Sequence, residues 1–147
     1  MAQYAKFSFK ETIVGRLEHD MDILEELTDI CGEEKIQSAR LEAIGAVKKA
    51  VIGYYQQSNR EYQFKELKQS MEIVSLIGNV SLKEGEPMVH AHINLADDSG
   101  NCFGGHLAEG TIVFACEFML HCLDGPALQR RFDKQTGLTL WDMAPLT

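Results

Sequence analysis

Short apolar runs separated by turn-forming residues dominate this sequence and restrict the folds that it can adopt. Residues 47–55 alternate between two faces, and residues 71–80 (MEIVSLIGNV) and 111–122 (TIVFACEFMLHC) are apolar enough for central strands of a sheet. Because the connections between these runs are mostly short, we predict antiparallel neighbours. Parallel winding would need a crossover helix between successive strands, and the pattern does not supply those helices.

One segment has the three- and four-residue spacing of an amphipathic helix. Its apolar positions are Leu17, Met21, Leu24, Leu27 and Cys31. Asp20 is the predicted N-terminal cap, and Gly32 is predicted to end the helix in a left-handed conformation. Residues 36–44 and 47–55 are predicted to be strands, and the break at Gly45 between them is predicted to be a turn or bulge. Residues 83–87 are predicted to be a loop, and residues 127–134 a polar turn of helix or an irregular segment. The prediction is an α+β fold in which residues 1–147 form a single domain with a largely antiparallel β-sheet and one main α-helix near the N-terminus.

Three of the five histidines lie within seventeen positions, in residues 88–107 (MVHAHINLADDSGNCFGGHL). Period-two alternation predicts a strand that carries His90 and His92 on the same face, about 7 Å apart, from which two imidazoles can bind one ion. Residues 97–100 read as a turn, and Gly104-Gly105 would let the returning chain bring His106 close. We therefore predict that His90, His92 and His106 bind one divalent transition metal, with zinc as the first choice.

Three protein ligands leave a coordination position for water or a small anion, which suits a functional site better than a closed structural one. The candidates for a fourth ligand, or for partners that orient the rings, are Asp97, Asp98, Cys102 and Glu117. An H-x-H pair is also common on half-exposed strands whose rings only face solvent, so a purely structural role stays open. His19 is expected to be solvated, and His121 to be partly buried and hydrogen-bonded.

Charge and cysteine usage limit the partners and the compartment. Fourteen basic and twenty-two acidic residues leave a net charge of −8, which opposes binding to nucleic acid or to an anionic membrane surface. The densest basic groups are the pairs Lys48-Lys49 and Arg130-Arg131, which are expected to be solvated. The four cysteines form no C-x-x-C pair, and no signal peptide or membrane span is recognisable, so we expect a cytoplasmic protein with free thiols.

Several of these segments together resemble the PPC domain, the plants and prokaryotes conserved module, over residues 6–123. The order and spacing of the pieces carry the resemblance. They are residues 44–47 (IGAV), 53–55 (GYY), 71–79 (MEIVSLIGN, matching E-I-x-S-L-x-G), 90–92 (HAH) and 104–107 (GGHL). The resemblance implies an α+β fold that assembles as a homotrimer. The fold of this family is also similar to that of acetolactate decarboxylase, whose zinc is held by an H-x-H pair and a later histidine.

The resemblance implies two different functions. Plant members follow an AT-hook and bind DNA, whereas stand-alone prokaryotic members are labelled DNA-binding or look like metal carriers; this chain has no R-G-R-P hook. Three hypotheses result. The chain is a cytoplasmic trimeric metal-binding protein, acting on or sensing a small molecule at the metal, or a DNA-binding regulatory module, or a trimeric interaction platform without chemistry. The sequence does not decide whether it is an enzyme.

Overall fold

The computed structural model describes residues 2–143, which form one helix and nine strands. The helix is α1 (Ile23–Glu33). The strands are β1 (Ser8–Leu17), β2 (Ala39–Gln56), β3 (Glu61–Leu67), β4 (Met71–Lys83), β5 (Glu86–Ala96), β6 (Cys102–Leu107), β7 (Ile112–Asp124), β8 (Arg130–Phe132) and β9 (Thr139–Trp141). Within the described residues, no helix is long and apolar enough to cross a membrane.

Seven strands form one sheet in the order β1-β7-β2-β4-β5-β6, with β3 added to β2, and every pairing is antiparallel. β6 also pairs with the far end of β2, so the sheet curls until Gly53 faces His106. β8 and β9 form a separate two-stranded ribbon. The predicted class is confirmed, and β4 and β7 are central as expected.

The core lies between α1 and the inner face of the sheet. Ile23, Leu27 and Cys31 of α1 are fully buried and belong to the same apolar cluster as Leu41 of β2 and Ile93 of β5. Burying a leucine or isoleucine contributes about 1.5–3 kcal/mol. These contacts fix which face of each strand is inside and therefore which side chains project outward.

The other face of the sheet, which we call the open face, is defined by one row of side chains that lie directly opposite each other on successive strands. The row consists of Val14, Met119, Glu42, Ile77, His92 and His106. Ile44 lies two residues beyond Glu42 and shares its face. The open face thus carries several exposed apolar side chains beside two of the clustered histidines.

Gly45 explains how β2 can be eighteen residues long. Residues 36–44 and 47–55 had the pattern of two strands, but residues 39–55 lie in one strand with a bulge where the pairing with β4 shifts, and residues 36–38 precede it. The φ of Gly45 is +149°, and a Cβ there would lie 2.1 Å from the Ala115 carbonyl oxygen. The predicted bulge is therefore confirmed, and only glycine fits at its centre.

The predicted ends of the helix were wrong by two or three residues. Asp22, not Asp20, is the N-cap: its Oδ1 accepts hydrogen bonds from the backbone N–H groups of Leu24 and Glu25. Gly32 remains helical, and Lys35 takes the left-handed conformation with φ +54°. Periodicity could not decide between two aspartates two positions apart. The tertiary contact made by Asp22, whose Oδ2 accepts from the Gly110 N–H, decides it.

Two segments predicted to be irregular are more regular than expected. Residues 83–87 were predicted to be a loop, but β4 and β5 join through a tight turn in which Glu84 and Gly85 both have positive φ. Residues 127–134 were predicted to be a polar turn of helix or irregular, yet they contain β8. The pairing of β8 with β9 brings Arg130 opposite Trp141.

Candidate metal centre

β5 and β6 bring the three predicted histidines together on the outer side of the sheet. Val89, Ala91 and Ile93 are buried in the core, so His90 and His92 project from the opposite face of β5. His106 on β6 lies directly opposite His92 in the hairpin. The strand alternation and the turn at residues 97–100 are as predicted.

The spacing of the rings suits a single ion. One nitrogen from each of His90, His92 and His106 lies within 4.8 Å of the others. The ring centroids are separated by 5.5 Å, 5.1 Å and 5.6 Å. Zinc at its usual distance of about 2.1 Å from tetrahedral nitrogens needs those nitrogens about 3.4 Å apart. The three nitrogens are therefore within about 1.4 Å of the spacing that one ion requires.

Gly53 and Tyr62 hold the His106 ring in place. The Tyr62 ring packs against the imidazole with centroids 5.0 Å apart. A Cβ at Gly53 would lie 3.1 Å from Phe64 and 3.2 Å from Tyr62, so a side chain there would press on the two rings that stack beside His106. Gly104 and Gly105 allow the close approach that the sequence indicated, since a Cβ at Gly105 would lie 2.7 Å from the Gly53 carbonyl oxygen.

The environment favours the neutral, ligand form of the His90 and His106 imidazoles. Burial lowers the pKa of His90 to about 4, and the Arg130 guanidinium and the two neighbouring histidines act in the same direction. Burial and His92 also lower the pKa of His106. Neutral imidazole is the form that binds metals. The Nδ1 of His106 is buried without a hydrogen-bond partner among the described residues. Three imidazoles with converging nitrogens form a donor set that suits a transition metal, so these residues fit a metal ion.

Arg130 is a part of this site that sequence reasoning missed. Only 8% of Arg130 is exposed, and its Nη2 lies 3.5 Å from the His90 Nδ1. The pair Arg130-Arg131 was predicted to be solvated; this is wrong for Arg130, whereas Arg131 is exposed and pairs with Asp142. The alternation of Leu128, Arg130 and Phe132 was a faint signal of a strand. No local pattern showed what the guanidinium contacts.

The other proposed ligands lie outside the cluster. Asp97 is engaged in its own turn, where its carboxylate accepts from Ser99 and Asn101, and Asp98 is exposed beside it. Cys102 is an exposed free thiol at the far end of the β5–β6 pairing, opposite Ala96. Glu117 is exposed on β7, opposite Ile44. Within residues 2–143, His90, His92 and His106 form a group without any of these four.

The remaining two histidines have local partners. The His121 ring, partly buried as predicted, lies 3.1 Å from the Thr12 hydroxyl and 3.4 Å from a Glu42 carboxylate oxygen. His19 is half exposed, and its Nδ1 lies 2.7 Å from the Phe114 carbonyl oxygen. Both histidines lie on the side of the sheet formed by β1, β7 and β2. Neither can therefore join the cluster on β5 and β6.

Comparison with known proteins identifies the family. The model of the Plants and Prokaryotes Conserved domain, abbreviated PCC or PPC, matches residues 4–124, and the chain belongs to this family. A metal-containing protein from Archaeoglobus fulgidus is 43% identical, with a TM-score of 0.91 over 95% of this chain and 99% of that one. A PPC protein from Pyrococcus horikoshii is 40% identical, with a TM-score of 0.91 over 97% and 99% of the two chains.

A third solved structure carries the other functional label. A protein from Ralstonia eutropha, described as a candidate DNA-binding protein, is 25% identical and has a TM-score of 0.82 over 95% of this chain and 96% of that one. Among proteins with curated functions, none matches this chain significantly. The family and fold are therefore established, and the relatives carry two different functional descriptions.

Proposed function

We propose that this protein binds one divalent transition metal per subunit through His90, His92 and His106. The observation that carries the proposal is the convergence of three imidazole nitrogens within 4.8 Å on one side of a β-hairpin. The similarity to a protein described as metal-containing supports it. Imidazole binds zinc, nickel, copper and iron, and zinc is our first choice because it readily accepts a site of three histidines.

The proposed site is open and therefore suits a small molecule. A bound metal would act as a Lewis acid toward a ligand oxygen in its remaining coordination position. The protein itself would supply orientation: the β-hairpin sets the direction of the three rings, and Tyr62 restricts His106. We propose a role as a small-molecule enzyme or sensor on this basis. Elemental analysis of untagged protein reconstituted with zinc tests the metal directly, and one zinc per subunit is expected.

We also propose that the protein works as a homotrimer in the cytoplasm. Val14, Ile44, Ile77 and Met119 are exposed on the open face, with between 48% and 67% of each residue accessible. Several large apolar side chains exposed on one face of a sheet are often covered in an oligomer. All four cysteines are free, which suits a reducing compartment.

The DNA-binding alternative has less physical support. The net charge of −8 opposes a phosphate backbone. Six of the fourteen basic side chains already pair with carboxylates, namely Lys10, Arg40, Lys48, Lys49, Lys68 and Arg131. Arg130 is buried and cannot reach a duplex. The third hypothesis, an interaction platform without chemistry, does not explain why three imidazoles lie together beside a buried guanidinium.

A further inference from the structure

Arg130 is held firmly at the junction between the sheet and the β8–β9 ribbon. Its Nε donates to the Ser81 hydroxyl at 2.6 Å, its Nη2 to the Asn79 side-chain oxygen at 2.8 Å, and its Nη1 to the Thr139 carbonyl at 3.0 Å. The guanidinium also lies 5.8 Å from the centre of the Trp141 ring. All of these partners are neutral. These contacts therefore fix the position of the positive charge, but none of them supplies a negative charge to balance it.

No carboxylate within residues 2–143 forms an ion pair with Arg130. A buried charge without a counter-charge is expensive, and buried arginines are normally paired. Three of the five N–H donors of the guanidinium are engaged with these neutral partners, and the second N–H of Nη2 faces the His90 Nδ1. When that nitrogen carries a proton or a metal it no longer accepts, and one donor on each Nη atom is then open to another acceptor. Such a pair of donors suits the two oxygens of a carboxylate.

The contact between Arg130 and His90 creates the same demand for an anion. If His90 binds a metal through Nε2, its Nδ1 carries a proton and becomes a donor. The Arg130 Nη2, which is also a donor, lies 3.5 Å from that Nδ1. If His90 binds through Nδ1, the metal charge lies beside the guanidinium. In either case two positive or donating groups face each other, and an anionic oxygen at one side, within reach of both, would satisfy them.

A cavity of about 490 Å³ opens at this point. His90, Asn79 and Arg130 line its polar side, and Leu140 and Trp141 line its apolar side. The cavity is large enough for a small metabolite. Arg130 is the single cationic side chain among the described lining residues, and it lies beside the apolar Leu140 and Trp141. This combination matches an organic carboxylate, which has an apolar part, better than inorganic phosphate, which has none.

We propose that this cavity binds a small organic carboxylate, with its carboxylate group on Arg130 and its apolar part against Leu140 and Trp141, next to the metal held by His90, His92 and His106. The inference rests on the proposed metal site and names the class of ligand that the site accepts. Arg130 is thus a binding residue for the small molecule and does not itself hold the metal.

Benzoate is a suitable probe, because it combines one carboxylate with an apolar ring. The zinc content of wild type, Arg130→Gln and Arg131→Gln is measured first, and each loaded protein is then titrated with benzoate by calorimetry. We expect that Arg130→Gln keeps its zinc but binds benzoate at least tenfold more weakly. Arg131→Gln, which removes the neighbouring exposed arginine, should match wild type within about twofold. Inorganic phosphate should compete at least tenfold less effectively than benzoate.

The outcomes separate the two proposals. Wild-type protein without zinc would contradict the proposed function itself. Zinc-loaded wild type that does not bind benzoate, or an unchanged benzoate affinity in Arg130→Gln, would overturn the carboxylate site while leaving the metal site standing. Phosphate binding more tightly than benzoate would overturn the class of ligand.

A second measurement does not depend on the folding of Arg130→Gln. In cobalt-loaded wild type, the ortho protons of bound benzoate should relax much faster than in the zinc-loaded protein, because the carboxylate would lie beside the paramagnetic ion. Equal relaxation in the two proteins would contradict the proposal.

Arg130→Lys keeps the charge but not the two-pronged geometry, and it should bind benzoate with an affinity between those of wild type and Arg130→Gln.

Discussion

Ile77 on β4 lies directly opposite His92 on β5, and both side chains project from the open face of the sheet. Ile77 is 54% exposed although it is a large apolar residue in a central strand. The proposed metal site and the apolar surface are therefore parts of one face. An oligomer formed through this face would shield the apolar side chains and restrict access to the histidines.

We expect Ile44→Glu to weaken the proposed trimer. Ile44 lies with Ile77 and Met119 along a groove of about 330 Å³ on the open face, so a charge there would be buried without a partner on association. Light scattering at micromolar concentration should give a trimer mass for wild type and a lower mass for the variant. Phe132→Glu changes an exposed apolar residue on the separate ribbon and should leave the mass unchanged. A monomer mass for wild type would contradict the trimer.

The low pKa of His90 should make the metal-free protein less stable in mild acid. The folded-state pKa is about 4 and the ordinary value is 6.5, so between these pH values the unfolded chain binds a proton that the folded chain does not. Stability from this group is complete above pH 6.5 and falls as the pH drops toward 4. At pH 5 we expect a loss of about 1–2 kcal/mol relative to pH 7.5.

The control for this effect is His90→Gln, which removes the titrating group and keeps a polar side chain. Urea unfolding at fixed protein concentration should show a smaller decrease in the free energy of unfolding between pH 7.5 and pH 5 for His90→Gln than for wild type. An equal decrease in both proteins would show that His90 titrates normally.

Asp22→Ala should destabilise the protein strongly. The Asp22 carboxylate caps α1 through the Leu24 and Glu25 N–H groups and also accepts from the Gly110 N–H, so its loss leaves three donors unsatisfied. Loss of an N-cap and of a part-buried hydrogen bond together cost about 2–4 kcal/mol. Thermal or urea unfolding measures the change. Asp20→Asn, at the position that the sequence pattern favoured, removes only exposed contacts with Lys48 and His19 and should lower the free energy of unfolding far less than Asp22→Ala does.

Binding of duplex DNA by this chain should be weak and independent of sequence at physiological salt. Its basic side chains are outnumbered by acidic ones, and affinity for duplex comes largely from neutralising phosphates. A gel-shift or fluorescence-anisotropy titration with fragments of different sequence provides the measurement. Nanomolar, sequence-dependent binding would contradict this prediction and favour the regulatory role.

The histidine hairpin could be predicted because local patterns contain most of the information. Alternation places His90 and His92 on one face, and the turn at residues 97–100 with Gly104-Gly105 returns His106 to them. The contacts of Arg130 could not be predicted in the same way. Its partners Asn79 and Ser81 are about fifty residues away in the chain, and a two-arginine pair on a short strand looks like surface. Long-range packing, not local periodicity, buries it.

Elemental analysis of untagged protein tests the central claim most directly. After reconstitution with zinc at neutral pH and removal of excess metal, wild type should retain one zinc per subunit. His92→Ala should retain none while keeping the wild-type circular dichroism spectrum and mass, because Ala91 and Ile93 hold the inner face of β5. His19→Ala, which removes a histidine outside the cluster, should bind zinc as wild type does. Wild type without zinc, or His92→Ala with the full complement, would contradict the metal site.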